Sequence, residues 1–232
     1  MKGYRQFCPI ARASEILGER WTFIILRNLL IGCTTFTEIE KGSAGIPKSV
    51  LTDRLRKLEH YEIVRRRPNP SGRGSTYEVT PMGMELWQVI IPLGSWGMRW
   101  LEIGPDIDPG VALWALSKNV DVERMPKRRV LIRFTFTRKP RFTIWALWDK
   151  DELEICLKFP GGDEDLVITA EPEWIGRWHL RRCTWHEAVA GGHIVIEGPR
   201  DLARAFPTWF KPDAFSSVEP ASAAERSASS AG

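Results

Sequence analysis

Apolar residues recur at helical spacing in the first half of the chain, in short segments separated by glycine and turn residues. This periodicity predicts helices over Pro9–Leu17 and Trp21–Ile31, and a short third helix that begins at Thr35. Thr35 and Glu38 have the spacing of a capping box, in which each side chain satisfies a free backbone amide at the start of a helix. The pattern therefore predicts three short helices before a turn at residues 43–46.

A fourth helix with two contrasting faces is predicted after this turn. Pro47 suits its first position, because the N–H that proline lacks would be unpaired there. Its apolar stripe consists of Leu51, Leu55 and Leu58. Its opposite face carries Lys48, Ser49, Thr52 and Arg56. A helix fits the major groove of DNA, where each base pair presents a distinct pattern of donors and acceptors, so this polar face is suited to reading bases.

Two β-prone segments, Ile63–Arg67 and Thr76–Thr80, follow the fourth helix and are joined by a loop rich in Pro and Gly. They predict a hairpin with a basic tip, whose arginines contact the DNA backbone or the minor groove. These arginines are Arg66, Arg67 and Arg73. A last helix is predicted from Pro81 to about Glu102, with a kink at Pro92. This order of elements is that of a winged helix-turn-helix domain.

Basic residues are concentrated in the first half of the chain, although the net charge of the whole chain is only +4. Up to Gly104 there are 15 Lys and Arg against 10 Asp and Glu, whereas the remainder has 18 against 19. Lys41–Arg73 alone contains 9 basic and 3 acidic residues. Such an excess is an electrostatic footprint for nucleic acid, and a charged face that meets only water is the alternative.

The second half of the chain shows alternating apolar and polar residues, which indicate strands. Three such segments, Val130–Thr137, Phe142–Trp148 and Leu153–Phe159, have the pattern of an antiparallel meander. A helix near Val111–Lys118 precedes them. The later segments are predicted to be a strand at 165–170, helices at 173–180 and 185–190, a strand at 193–197 and a closing helix from 201. This half is therefore predicted to be an α+β unit.

Large aromatic side chains are more abundant in this α+β unit than a domain of its size usually needs. Ligand pockets are lined in this way, so the pattern favours a hydrophobic small molecule as a partner. The candidate pocket residues are Phe134, Phe136, Phe142, Ile144, Trp145, Trp148, Trp174 and Trp178. A filled core that only stabilises the domain is the alternative.

Five motifs in the first half are typical of a known family. They are Cys8-Pro9-Ile10-Ala11-Arg12-Ala13, Gly18-Glu19-Arg20-Trp21-Thr22, Phe36-Thr37-Glu38-Ile39, Gly45-Ile46-Pro47-Lys48-Ser49-Val50-Leu51-Thr52-Asp53-Arg54-Leu55 and Thr80-Pro81-Met82-Gly83. In this order and spacing, across Tyr4–Leu101, they resemble the HxlR family of bacterial transcriptional regulators. The resemblance implies a homodimeric winged-helix protein that binds double-stranded DNA at a pseudo-palindromic operator. The candidate DNA-binding residues are Lys48, Ser49, Thr52, Arg54, Arg56, Arg66, Arg67 and Arg73.

The same resemblance implies that the first and last helices of this domain build the dimer contact. The candidate dimer residues are Ile10, Ala13, Leu86, Ile90, Leu93, Trp96 and Trp100. The alternative is that these side chains only close the core of their own domain. Cys8 corresponds to a cysteine that some family members use to sense oxidants or electrophiles, and a cysteine packed at the dimer interface is the alternative. Pro47 departs from the family pattern, which often has Ser or Thr immediately before the recognition helix.

The second half resembles a different family, the sterol carrier protein-like domains. The resemblance spans about Asp108–Phe210, includes Asp165–Thr169, and rests mainly on the stretch Ala188–Pro199 and on the order of the strands. It implies an α+β fold with a curved, mostly antiparallel sheet under helices and an apolar tunnel for a ligand. The predicted organisation is a DNA-binding and dimerisation domain over 1–104, a ligand-binding domain over 105–211 and a disordered Ser/Ala-rich tail over 212–232.

The remaining motifs indicate no catalytic group, cofactor or metal site. His179, Cys183 and His186 have metal-like spacing but lack a fourth close ligand of the right type. The scattered cysteines argue against a disulfide scaffold, and no apolar run reaches the length of a membrane helix. We therefore expect a cytoplasmic protein that is not an enzyme and has no membrane partner. The rival function is a lipid or small-molecule carrier whose helical domain serves mainly for dimerisation.

Overall fold

A computed structural model describes residues 3–70, 72, 74–104, 106–138 and 141–230. The chain divides into two units, residues 1–93 and 94–232. Within the described ranges, no helix is long and apolar enough to cross a membrane.

The first unit consists of short helices followed by a hairpin. The elements are α1 Pro9–Leu17, α2 Thr22–Leu30, α3 Phe36–Lys41, α4 Lys48–His60, β1 Val64–Pro68, β2 Ser75–Val79 and α5 Pro81–Glu85. The next helix, α6 (Trp87–Trp100), begins in this unit and ends in the second. The predicted order of helices and hairpin is confirmed.

Local caps and a shared apolar core hold these helices in place. At the start of α3, the Thr35 hydroxyl accepts a hydrogen bond from the Glu38 amide at 3.2 Å, and the Glu38 carboxylate accepts one from the Thr35 amide at 2.9 Å. This is the capping box that the spacing predicts. The core is formed by fully buried side chains that include Ile25, Leu26, Ile39, Leu51, Leu55 and Leu58.

Two helix boundaries differ from the prediction. Pro47 precedes α4 in an extended conformation (ψ 138°) and does not occupy the first helical position. The long helix predicted from Pro81 is divided at Leu86 into α5 and α6. The Leu86 amide donates to the carbonyl oxygen of Gly83, three residues back, so the tighter 3₁₀ pattern interrupts the α-helical ladder there.

The second unit is built on one five-stranded sheet. Its helices are α7 Pro109–Lys118, α8 Pro172–His179, α9 Trp185–Ala190, α10 Arg200–Ala205 and α11 Ala223–Ser230, with a 3₁₀ turn at Phe206–Thr208. Its strands are β3 Val130–Phe136, β4 Phe142–Asp149, β5 Glu152–Cys156, β6 Leu166–Ala170 and β7 Ile194–Glu197. The strand order is β5-β4-β3-β6-β7, in which only the β3–β6 pair is parallel.

One face of this sheet and the helices α7 to α10 enclose the core of the second unit. Residues of α7 and α8 such as Leu113 and Ile175 are buried in one cluster with Phe134 and Ile144 of the sheet. The α+β class is confirmed for this half of the chain. Its resemblance to sterol carrier protein-like domains stays a prediction.

The segment after residue 212 differs from the predicted disordered tail. Ala221 is buried, and its amide donates to the carbonyl oxygen of Arg99 at 2.8 Å. Arg99 also forms an ion pair with Glu225 at 2.6 Å. A composition rich in Ser and Ala predicts disorder because it contains few large apolar side chains. Composition alone gives no information about hydrogen bonds to a helix more than a hundred residues earlier in the chain.

Candidate nucleic-acid interface

An open groove separates α4 from the β1–β2 hairpin in the first unit, with a volume of about 300 Å³. Thr52 and Arg56 line it from the helix, and Arg66 and Ser75 line it from the hairpin. The fold thus brings residues of the predicted recognition helix and of the predicted wing to one surface.

The polar face of α4 is open to water. The Lys48 side chain is 76% exposed and lies 3.7 Å from the Glu40 carboxylate, and the Arg56 side chain is 73% exposed and lies 3.9 Å from Asp53. Exposed ion pairs of this kind contribute only about 0–1 kcal/mol, so both cations can exchange their partners for phosphate oxygens. Ser49 is exposed as well.

Thr52 and Arg54 are engaged within the domain. The Thr52 hydroxyl donates to the Lys48 carbonyl oxygen at 2.8 Å, although its side chain still lines the groove. Arg54 differs from the prediction: its guanidinium forms an ion pair with Glu19 and donates to the Arg20 carbonyl oxygen at 3.3 Å. Only 23% of its side chain is exposed. Arg54 therefore ties α4 to the turn before α2.

Successive side chains of β1 point to opposite faces of the hairpin, so the neighbouring arginines Arg66 and Arg67 lie on different faces. Arg66 pairs with Tyr77 in the hairpin and lines the groove, where its Nε donates to the Ser75 hydroxyl at 2.8 Å. Arg67 lies on the opposite face of the hairpin and forms an ion pair with Glu78 at 2.9 Å. The predicted wing residue Arg73 lies outside the described residues.

The predicted dimer residues vary in exposure. Ile10 is 76% exposed, Leu93 45% and Trp96 56%, and Ala13 is exposed too. Leu86 and Trp100 are half-buried. Ile90 is buried, so this side chain closes its own fold, as the alternative proposes.

The segment before α1 adds apolar surface that helical periodicity did not indicate, since it precedes the helix: Phe7 is fully exposed and Tyr4 is 60% exposed. Cys8 is a half-buried free thiol immediately before α1. Its backbone carbonyl oxygen accepts the first hydrogen bond of the helix, from the Arg12 amide at 3.0 Å.

Most predicted pocket residues of the second unit are core residues. The buried ones are Phe134, Phe136, Ile144, Trp148 and Trp178. They pack on one another and on Phe206, whose ring centroid lies 6.2 Å from that of Phe134 and 5.8 Å from that of Trp178. A cavity of about 10 Å³ beside Trp178 is large enough for no more than a water molecule.

The other predicted pocket residues lie elsewhere. Trp145 is on the opposite face of β4 from Ile144, and its indole N–H donates to Glu164 at 2.9 Å. Trp174 stacks on His193 with ring centroids 3.7 Å apart, and Phe142 is 44% exposed. The structure therefore does not bring the eight residues to one cavity.

The helices, the turn before α4 and the adjoining hairpin define a winged helix-turn-helix domain. Residues 16–104 match the HxlR-like helix-turn-helix family. The transcriptional regulator YvaP of Bacillus subtilis is 30% identical over 99 residues, which cover 42% of this chain and 92% of YvaP. The chain belongs to the HxlR-like helix-turn-helix family.

Other relatives match a similar share of the chain. The transcriptional regulator Rv3095 of Mycobacterium tuberculosis is 36% identical over 93 residues, which cover 40% of this chain and 58% of Rv3095, so the match spans little more than half of that relative. The solved structure of reduced YodB, a transcriptional regulator of Bacillus subtilis, is 31% identical and covers 43% of this chain and 99% of YodB, with a TM-score of 0.37.

Proposed function

We propose that the protein is a transcriptional regulator that binds double-stranded DNA as a homodimer. The groove that gathers Thr52, Arg56 and Arg66 between α4 and the hairpin carries this proposal. Membership of the HxlR-like family supports it, because relatives such as YvaP and Rv3095 are named as transcriptional regulators.

In the proposed complex, α4 enters the major groove with its exposed face towards the bases. Arg56 can donate two parallel hydrogen bonds to a guanine, whereas Ser49 and Thr52 can contact several bases and Lys48 the phosphates. Arg66 and Arg67 extend from opposite faces of the hairpin to the flanking backbone. Arg54 is left out of this interface because Glu19 already holds its charge.

A homodimer would present two copies of α4 to one face of the duplex. A two-fold symmetric dimer of this kind binds half-sites of inverted sequence, which predicts a pseudo-palindromic operator. The exposure of large apolar side chains in the predicted dimer helices supports self-association, because Ile10 of α1 and Leu93 of α6 would leave water in an interface.

Two routes of control are part of the proposal. Cys8 is a free thiol at the start of α1, so its oxidation would act on the element that we assign to the dimer contact. A small molecule bound to the second unit is the other route. A ligand that prefers one state of the dimer shifts the population towards that state.

The decisive experiment is binding of the full chain to its own upstream DNA across a salt series, with unrelated DNA as competitor. We expect selective binding that weakens with salt. The logarithm of the association constant should fall by about 0.9 per neutralised phosphate for each tenfold rise in salt concentration. Equal and weak binding to every DNA would instead support the carrier function, in which affinity for an apolar ligand is nearly independent of salt.

Substitution of Arg56 tests the proposed reading of bases. Arg56→Ala is expected to weaken operator binding by about 1–3 kcal/mol and to relax selectivity at one base pair. Arg204→Ala, which removes an exposed arginine of α10 in the second unit, is the matched control and should leave the affinity unchanged. If Arg56→Ala binds the operator as tightly as the control, Arg56 does not belong to the interface.

A further inference from the structure

A cleft of about 260 Å³ in the second unit combines positive charge with an apolar wall. Three arginines line it from separate parts of this unit: Arg177 in α8, Arg182 in the loop after α8 and Arg226 in α11. The apolar side chains that line it are Leu101, Ile103 and Pro220.

Arg182 contributes a guanidinium group that is bonded to neutral backbone carbonyl groups. Its guanidinium donates to the backbone carbonyl oxygens of Met98 and, at 3.4 Å, of Val218. Burial lowers the pKa of Arg182, and the positive charge of Arg226 lowers it further. Both effects disfavour the guanidinium cation, and an anion bound in the cleft would oppose them.

The charge of the whole cleft is also unbalanced. The carboxylate of its lining residue Glu102 lies 3.9 Å from the Arg226 guanidinium, and the Glu102 side chain is 81% exposed, so water screens this charge. Arg177 lies over the ring of Trp174, with its guanidinium carbon 5.1 Å from the ring centroid. The residues that line the cleft therefore include three arginines and one acidic residue.

Specific contacts hold the segment that carries Pro220 and Arg226. The Ala221 amide donates to the Arg99 carbonyl oxygen, and the Glu225 carboxylate forms an ion pair with the Arg99 side chain. The Ser222 hydroxyl accepts a hydrogen bond from the Glu225 amide at 3.2 Å at the start of α11. These contacts attach the segment that carries Pro220 and Arg226 to α6, beside the other residues that line the cleft.

We propose that this cleft binds a small amphiphilic anion, a carboxylate on a short apolar body. Guanidinium groups pair with carboxylates through parallel, charge-assisted hydrogen bonds. The apolar body would cover Leu101, which is 59% exposed, together with Ile103 and Pro220. The volume lies just below the usual range for ligand pockets, which favours a short chain or a single ring. The cleft gives the ligand-binding part of the proposed function a site and a chemical class, and it requires no DNA.

Calorimetric titration of the full chain with sodium octanoate tests this site. We expect one octanoate per chain, with 1-octanol and inorganic phosphate each at least about tenfold weaker, because each lacks one of the two complementary features. Arg226→Gln and Arg182→Met are each expected to weaken octanoate binding about tenfold. Arg204→Met, outside the cleft, is the matched control and should bind as the wild type does.

Three results would overturn the proposal: no octanoate binding by folded wild-type protein, equal affinity for octanoate and 1-octanol, or wild-type affinity in Arg226→Gln. Circular dichroism of each variant shows whether it is folded. Arg226→Gln keeps the test valid if Arg182→Met unfolds, since Arg182 also bonds to two backbone carbonyl groups. Operator binding measured on the same preparations separates failure of this site from failure of the proposed DNA-binding function.

Discussion

Glu19 is the centre of a charged cluster between α4 and the turn before α2. Its carboxylate accepts a hydrogen bond from Lys57 at 2.8 Å and forms an ion pair with Arg54. The hydrogen bond from Lys57 lowers the pKa of Glu19 below its ordinary value of 4.5, against the opposing effect of burial, and the charges of both cations lower it further. The ionised carboxylate therefore favours the folded state.

Substitution of Glu19 should change the pH dependence of stability. Because the folded-state pKa is lowered, the stabilisation is fully present above pH 4.5 and is lost as the pH falls through the lowered pKa. Glu19→Gln is therefore expected to unfold more easily than wild type at pH 7, with the difference shrinking in acid. Urea unfolding between pH 3 and 7 measures this, with the exposed Glu59→Gln as control. A difference that does not vary with pH would contradict the assignment.

At the residue scale, the sequence shows which basic residues α4 carries but not which of them remain exposed to water. Arg54 and Arg56 are both basic residues of α4, but helical periodicity assigns only Arg56 to the face opposite the apolar stripe. Arg54 follows Leu51 by three positions and precedes Leu58 by four, so it lies beside the apolar stripe. Its partner Glu19 is 35 positions away, and only the fold brings the two together.

At the scale of elements, α5 depends on a close approach of backbones. A Cβ added at Gly83 would overlap the carbonyl oxygen of Ile63 and lie 2.7 Å from Val79. Thr80 fixes the start of this helix: its hydroxyl accepts a hydrogen bond from the Gly83 amide and donates one to the backbone carbonyl oxygen of Glu62. Glycine is therefore required where α5 packs against the base of the hairpin.

Gly83→Ala should consequently destabilise the first unit by about 1–3 kcal/mol, the usual cost of overpacking. The matched control is Gly97→Ala in α6, where an added Cβ would lie 4.0 Å from Leu101. The control should be neutral or stabilising by about 0.5–1 kcal/mol, because alanine favours helices. Thermal unfolding followed by circular dichroism compares them, and equal melting temperatures would show that the backbone relaxes freely around Gly83.

Elements with local signals were predicted well, and those without them were not. The capping box at Thr35 and the alternation along β3 and β4 are short-range properties that the sequence displays directly. The division of the last helix at Leu86 has a weaker local signal. The start of α11 is an exception, because Ser222 and Glu225 form a capping box there that the prediction of a disordered tail overlooked. The contacts that attach this segment to Arg99 are long-range, and no periodicity near residue 223 indicates them.

At the scale of the whole molecule, self-association is the property most open to test. Ile10→Glu introduces a charge into the apolar surface of α1, and burying that charge in an interface would cost several kcal/mol. We expect sedimentation velocity to show a shift from dimer to monomer and operator binding to weaken in parallel. Val195→Glu, at an exposed apolar position of β7, is the control and should remain dimeric. A dimeric Ile10→Glu would remove α1 from the proposed contact.

The sequence by itself determined the order of the helices and strands as far as α10, apart from the division at Leu86, together with the basic character of the first half and the family of residues 16–104. It could do so because caps, turns and periodicity act over a few residues. The tertiary structure decided which charged and aromatic side chains remain available for contact with DNA or a ligand. It buries Phe134 in the core, pairs the Trp145 indole with Glu164 and gathers Arg182 and Arg226 in one cleft. Burial and charge pairing depend on residues far apart in the chain, and only the packed fold brings them together.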